Sequence, residues 1–296
     1  MTRPGSDAAT RRARYHVGVT QTSDPARRDA PIGIFDSGFG GLTVARAVVD
    51  QLPGEDVIYL GDTANAPYGP RPIAEIRHLA LARLDELVAL GVKCLVIACN
   101  SASSAVLADA RERYPIPVIE VILPAARRAV QASRSGRLGV ICTQATATAA
   151  AYDDALEAAS GVTLTTAVCP RFVEFVEAGV TGGEELLTVA RDYLAPIRRA
   201  GVDTLILGCT HYPLLAGVIS FVLGESVTLV SSADECAKAV YATLTRADLL
   251  NPQATGQRRF LTTGSPDRFA RIGGRLVGGF VTSAEPAAAR SWQQPA

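Results

Sequence analysis

The chain of 296 residues carries 29 lysines and arginines against 29 aspartates and glutamates, so no overall field draws it to nucleic acid or anionic lipid. Apolar residues make up 48 % and charged residues 20 %, a composition that packs, over a length that suits two ordinary domains better than one large one. No segment approaches the roughly 20 consecutive apolar residues that span a bilayer, and the first thirty hold no signal-peptide core, so a cytoplasmic protein acting on a small polar molecule is expected, with no membrane association.

In chain order, residues 1–30 contain six arginines, three aspartates and no Leu, Ile, Phe or Trp, which predicts a disordered N-terminal tail. Short apolar runs of strand type follow at Ile32 to Phe35, Val57 to Leu60, Cys94 to Ala98, Leu138 to Cys142, Leu205 to Leu207 and Val227 to Val230. They alternate with segments of helical period, the signature of parallel sheets flanked by helices, an α/β fold. The segment Glu75 to Leu90 shows that period, with Ile76, Leu79, Ala80, Leu84, Leu87 and Val88 on one face and Arg77, Asp85 and Glu86 on the other. From about Ala284 the chain reads as a second loose terminus, 284–296.

Two gapless internal matches stand out. Gly91-Val-Lys-Cys-Leu-Val-Ile-Ala-Cys99-Asn aligns on Gly201-Val-Asp-Thr-Leu-Ile-Leu-Gly-Cys209-Thr, and Ile32-Gly-Ile-Phe-Asp36-Ser37 aligns on Leu138-Gly-Val-Ile-Cys142-Thr143. Two matches in the same order indicate duplication. Each half then places a cysteine at the carboxyl end of a strand, where open parallel sheets hold ligands, and a cleft between the halves is the consequence.

Polar groups cluster at those strand ends. Asp36-Ser-Gly-Phe-Gly-Gly41 leads from a strand into a helix; its amides suit an anion, or its glycines serve only a tight turn. It lacks the third glycine of a dinucleotide fingerprint and the lysine of a P-loop. Gly61-Asp-Thr-Ala-Asn-Ala-Pro-Tyr68-Gly69 is a polar loop. Cys99-Asn100-Ser101 and Cys209-Thr210-His211 set thiols beside hydroxyl, amide and imidazole groups able to tune them. A lone buried cysteine is normally structural, but a matched pair points to acid/base chemistry. With no CxxC, and only His211 near a cysteine, neither a metal site nor a redox pair is expected. A cysteine phosphatase would place Arg six residues after Cys; Cys99, Cys142 and Cys209 have Ala105, Thr148 and Leu215 there.

Taken together, DSGFGG, GDTANAPYG, ACNSAS, CTQAT and GCTHYP resemble the motif series of the glutamate racemases within the aspartate/glutamate racemase family, from about Pro31 to Asp234. The resemblance implies two pseudo-symmetric parallel-sheet α/β domains with the site between them: 31–125 plus 236–283 carrying Cys99, and 126–235 carrying Cys209. It implies cofactor-independent interconversion of L- and D-glutamate by Cys99 and Cys209, supplying D-glutamate for peptidoglycan, in a homodimer. By the same resemblance Asp36 assists Cys99, His211 assists Cys209, and Glu177 plays a similar part. Asp36, Ser37, Tyr68, Gly69, Asn100, Ser101, Thr143, Thr146, Thr210 and His211 match substrate-binding positions. Three positions depart from the common pattern: Ser101 replaces Thr, Asn65 replaces Arg, and Cys142 replaces Gly. Another amino acid such as aspartate, or a non-catalytic amino-acid binder on the same scaffold, are the alternative readings.

Overall fold

The computed structural model describes residues 28–287, so the tail expected over 1–30 lies outside it except for its last three residues. Two parallel sheets form the frame. The first contains β1 (Ile32–Asp36), β2 (Val57–Gly61), β3 (Cys94–Ile97), β4 (Val118–Glu120), β9 (Arg258–Thr262) and β10 (Glu285–Pro286), in the order β10-β9-β2-β1-β3-β4. The second contains β5 (Arg137–Cys142), β6 (Thr163–Val168), β7 (Thr204–Gly208) and β8 (Thr228–Ser231), in the order β6-β5-β7-β8.

The duplication survives down to register. Ile32 lies opposite Cys94 in the first sheet, and their repeat counterparts Leu138 and Thr204 lie opposite each other in the second. Likewise β2 flanks β1 as β6 flanks β5, and β4 flanks β3 as β8 flanks β7. All these strands run parallel, so the helices must cross over the sheet faces and every strand's carboxyl end opens on the same side.

The helices between β1 and β6 are α1 (Leu42–Gln51), α2 (Ile73–Ala89), α3 (Asn100–Arg113), α4 (Ile122–Ala132), α5 (Gln144–Thr148) and α6 (Ala151–Leu156). After β6 come α7 (Arg171–Ala178), α8 (Glu184–Arg199), α9 (Ala216–Leu223), α10 (Ser232–Arg246) and α11 (Pro266–Val277). Alternation along each strand separates two apolar faces. Ile32, Ile34, Tyr59 and Val96 face a core that continues through α1, α4 and α10 to Leu138, Val140 and Ile206 of the second sheet. Phe35, Leu60, Leu95 and Ile97 face α2 and α3, while Ile141, Leu205 and Leu207 face α7, α8 and α9. A shared apolar core therefore sets how the two sheets meet.

Four details differ from the sequence reading. Residues 118–120, 163–168 and 258–262 are strands that the apolar runs did not reveal; Thr163–Val168 is an edge strand with half its residues exposed or polar. The boundary expected at residue 236 falls inside α10, which begins at Ser232 and packs on α1 of the first domain. The terminus expected to be loose from 284 begins with a strand, because Glu285–Pro286 pairs with Leu261–Thr262 and Ala287 N–H donates to Thr262 O at 2.8 Å. Glu86, expected on the outer face of α2, is 7 % exposed and accepts from Arg83 Nη1 at 3.0 Å.

At the amino ends of the strands, far from the cysteines in each strand's direction, sits a buried ion pair. Lys93 Nζ, fully buried, meets Glu55 and donates to Arg28 O at 2.6 Å, while Glu55 Oε1 accepts from Asn251 N–H at 2.8 Å. The pair ties four chain segments together at a place where removing one partner strands a charge. Lys93→Met should lower the unfolding free energy in urea by about 3 to 5 kcal/mol, and Lys93→Met with Glu55→Gln should recover much of that loss. Equal losses in the single and double variants would show that the pair's charges are not what matters there.

Candidate active site

The carboxyl ends of β1, β3, β5 and β7 converge on a cleft of about 190 Å³ between the two sheets. Ser37, Tyr68, Gly69, Cys99, Asn100 and Ser101 line it from the first domain; Thr143, Glu177, Cys209, Thr210 and His211 line it from the second. Both cysteines are only 6 % exposed.

Cys99 is the N-terminal cap of α3. Its Sγ accepts from Ala102 N–H at 3.4 Å, in the position a serine would take as a helix cap, and its thiol faces Ser37 Oγ at 3.4 Å. Burial pushes the thiol up to about 12; the Asp36 carboxylate adds to the rise, against the contacts from Ser37 and Ala102.

Asp36 itself is 1 % exposed and stands behind the cleft wall rather than on it. Gly38 N–H donates to its Oδ2 at 2.9 Å, so the glycine-rich loop turns amide groups onto the protein's own carboxylate instead of leaving them all for an outside anion. Burial raises the Asp36 carboxyl above its ordinary range; His211 and the amides of Gly41 and Gly38 oppose the rise. The motif's glycines are required by close approach. A Cβ on Gly40 would lie 2.4 Å from His211 Nδ1 and Thr210 Oγ1, and one on Gly41 would lie 2.4 Å from Asp36 Cβ. Thr43 Oγ1 completes the contact, donating to Gly40 O at 2.9 Å or Thr210 O at 3.0 Å.

Around Cys209 the environment has the opposite sign. Its Sγ lies 3.7 Å from His211 Nδ1, and His211 Nε2 lies 3.1 Å from Glu177 Oε1. Burial works against a charge on His211, but the interactions with Cys209 and Glu177 outweigh it and push the imidazole up to about 10. Near neutral pH the ring is therefore a buried cation wedged between a sulfur and a carboxylate. No lysine or arginine lines the cleft, so His211 is its cation among the described residues.

The other expected residues divide. Ser101 Oγ and Thr143 Oγ1 lie 2.8 Å apart, joining the two halves across the cleft floor. Asn100 takes a bond from Tyr152 OH at 2.8 Å on Oδ1, which leaves its buried Nδ2 without a protein partner. Tyr68 forms wall, but its hydroxyl is turned away, donating to Asp62 Oδ2 at 2.6 Å. Gly69 O accepts from Ala145 N–H at 2.9 Å, so the loop touches the second domain. Thr146, like Asp36, stands behind the wall: its N–H and hydroxyl face Thr143 Oγ1 at 3.4 Å and 3.2 Å.

Sequence reasoning missed Val173 and Glu174 on α7, together with Gln144, Pro67 and Pro170. Val173 and Glu174 stand four and three residues before Glu177, and helical spacing puts all three on one face. It also missed Asp62, which is fully buried and accepts from Asn65, Tyr68 and Thr263, fixing the 61–69 loop to the end of β9.

Known proteins resemble this chain along most of its length. The profile of the Asp/Glu/Hydantoin racemase family matches residues 32–240. A glutamate racemase of Parafrankia sp. (strain EAN1pec) is 63 % identical over 267 residues, covering 88 % of this chain and 96 % of its own. The crystal structure of glutamate racemase isoform RacE1 from Bacillus anthracis superposes with a TM-score of 0.81 at 38 % identity, covering 88 % of this chain and 97 % of that one. Glutamate racemase from Francisella tularensis, crystallised with D-glutamate, gives a TM-score of 0.81 at 32 % identity, covering 88 % and 96 %. With a family profile spanning both halves of the cleft and a close relative along most of its length, the chain belongs to the Asp/Glu/Hydantoin racemase family, among its glutamate racemases.

Proposed function

We propose that the chain interconverts L- and D-glutamate without a cofactor, using Cys99 and Cys209 as the two bases. The observation that carries this reading is the placement of two thiols at repeat-equivalent strand ends, one from each half of a single cleft. Inversion at a carbon needs one group to take a proton from one face and another to deliver a proton to the opposite face.

The surroundings of the thiols give them reciprocal roles. Cys99, pushed up by burial and by Asp36, enters as the proton-bearing thiol. Cys209, facing the imidazolium of His211, accepts the α-proton of one enantiomer, and the electron pair left on the carbon takes the proton of Cys99. The other enantiomer runs through the same steps with the cysteines exchanged. Glu177 keeps the imidazole charged and oriented. Hydroxyls of Ser37, Ser101, Thr143 and Thr210 and the open amide of Asn100 supply the donors and acceptors for an ammonium and two carboxylates.

The six cysteines are all free thiols, which fits a reducing cytoplasm, and no helix among the described residues is long and apolar enough to cross a membrane. We place the activity there, making D-glutamate for peptidoglycan, with a homodimer as the working assembly.

Incubation in deuterium oxide without cofactor tests the mechanism. Wild type should invert both L- and D-glutamate with α-deuteration, and Cys99→Ala and Cys209→Ala should each lose inversion by about a hundredfold to ten-thousandfold, the range a missing acid or base typically removes. Inversion surviving loss of either cysteine would sink the two-base mechanism, and a clear preference for aspartate would move the substrate.

The raised His211 makes a second prediction, of stability against pH. Its folded value of about 10 lies above the ordinary 6.5, so the folded state holds a proton that the unfolded state releases. Its stabilisation is complete below about pH 6.5 and is lost as pH climbs through 10. Urea unfolding between pH 6.5 and 8.5 should show stability falling for wild type and a flatter profile for His211→Asn. Equal slopes would mean that His211 is not charged in the folded protein.

A further inference from the structure

The C-terminal helix of the first domain reaches the catalytic side of the second. Arg275, on the last turn of α11, donates through Nη2 to the backbone carbonyl of Glu177 at the end of α7. Glu177 is the residue whose carboxylate holds His211. The last turn of α7 is closed by Gly179 in the left-handed region at φ +82°, with Gly179 N–H bonding Val176 O at 2.9 Å and Val180 N–H bonding Phe175 O at 2.8 Å. That closure satisfies the carbonyls of residues 175 and 176. The Glu177 carbonyl stays at the negative end of the helix, where a cation is favoured.

Two further contacts fix the guanidinium there. A Cβ on Gly179 would lie 3.1 Å from Arg275 Nε and 3.2 Å from its Cζ, so the guanidinium rests on the glycine. The neighbouring Leu276 packs against the apolar clusters of both domains, anchoring this turn of α11 at their junction.

The geometry points to Arg275 as a positioning residue: by holding the end of α7 from the opposite domain, it sets Glu177 at hydrogen-bond distance from His211 and so sets the His211–Cys209 contact. The inference rests on the reading that His211 serves Cys209, and it adds that closure of the two domains and the state of that base are coupled through one side chain. Arg275 touches neither the cleft nor the thiols.

The groups facing His211 are Cys209, Glu177 and Asp36, two of them carboxylates. Displacing Glu177 would therefore lower the pH at which the ring titrates. Removing the positive charge of Arg275 would by itself raise it, so the two effects have opposite signs.

The test follows the titration of His211 by NMR in the full chain with isotope-labelled histidine, the signal being assigned among His16, His78 and His211 by its absence in His211→Asn. Glutamate inversion in both directions is measured alongside. Arg275→Ala should move the His211 midpoint down from about 10 toward the ordinary 6.5 by about one pH unit or more. It should also lower kcat roughly tenfold or more with little change in KM, as displacement of a catalytic group does. Arg275→Lys, which keeps a donor and a charge, should retain both values; Arg275→Gln serves the same comparison if the alanine variant does not fold. An unchanged or raised midpoint in Arg275→Ala, or a fall in kcat with the midpoint in place, overturns the inference. Full racemisation by His211→Asn would instead overturn the reading of His211 on which it rests.

Discussion

Holding a charged imidazole almost wholly buried between two domains is the demand to which most of this molecule answers. An isolated buried cation is strongly disfavoured, so the ring needs partners on both nitrogens at once. Here the sulfur of Cys209 stands at one nitrogen and the Glu177 carboxylate at the other. Those partners come from different elements, the turn after β7 and the end of α7. The loop after β1 must then close over the ring from the other domain, and this is what excludes side chains from Gly40. A motif readable as an anion cradle thus acts as a thin lid over a buried cation, with its own buried carboxyl, Asp36, placed behind it.

That arrangement breaks a symmetry that the fold otherwise keeps. The two central strand pairs share composition, register and the placement of a cysteine after the strand. Their electrostatics differ. Cys99 has a carboxylate behind it and a hydroxyl beside it, whereas Cys209 has an imidazolium. A proton relay across a carbon needs one thiol protonated while the other is not, and inversion in both directions needs the two to exchange those states. Duplication supplied the matching positions, and substitution around them supplied the difference.

How much of this was legible in the sequence depends on whether a feature is local. The inner strands showed as apolar runs because both faces of a parallel sheet are covered, and the duplication showed because it lies in those same runs. An edge strand such as Thr163–Val168 was not legible, since only one of its six residues is buried and half are threonine, the composition of a loop. At the site, Cys99, Cys209 and the hydroxyls beside them were found because they follow strands directly. Asp62, Val173 and Glu174 were not, because their part depends on which elements the fold brings together. Tyr68 and Thr146 show the converse. Both belong to motifs that read as binding residues, yet one hydroxyl is committed to Asp62 and the other group lies behind Thr143.

The repeat also separates where the molecule is held together from where it acts. Lys93 and Asp203 occupy equivalent positions at the amino ends of β3 and β7, six residues before the two cysteines. Each is a staple of a different kind. Lys93 forms a buried ion pair with Glu55, while Asp203 gathers Ser133 Oγ at 2.7 Å and the N–H groups of Arg134 and Ser135 at 2.9 Å and 2.7 Å. Burial weighs against the Asp203 charge, but those hydrogen bonds outweigh it and hold the carboxyl below its ordinary range. Fastening the strands at their amino ends leaves the carboxyl ends free to carry unpaired polar groups, such as the open Asn100 amide and the buried Asp36 oxygen. In a parallel sheet every strand has the same two ends, so one duplication was enough to give both halves that division.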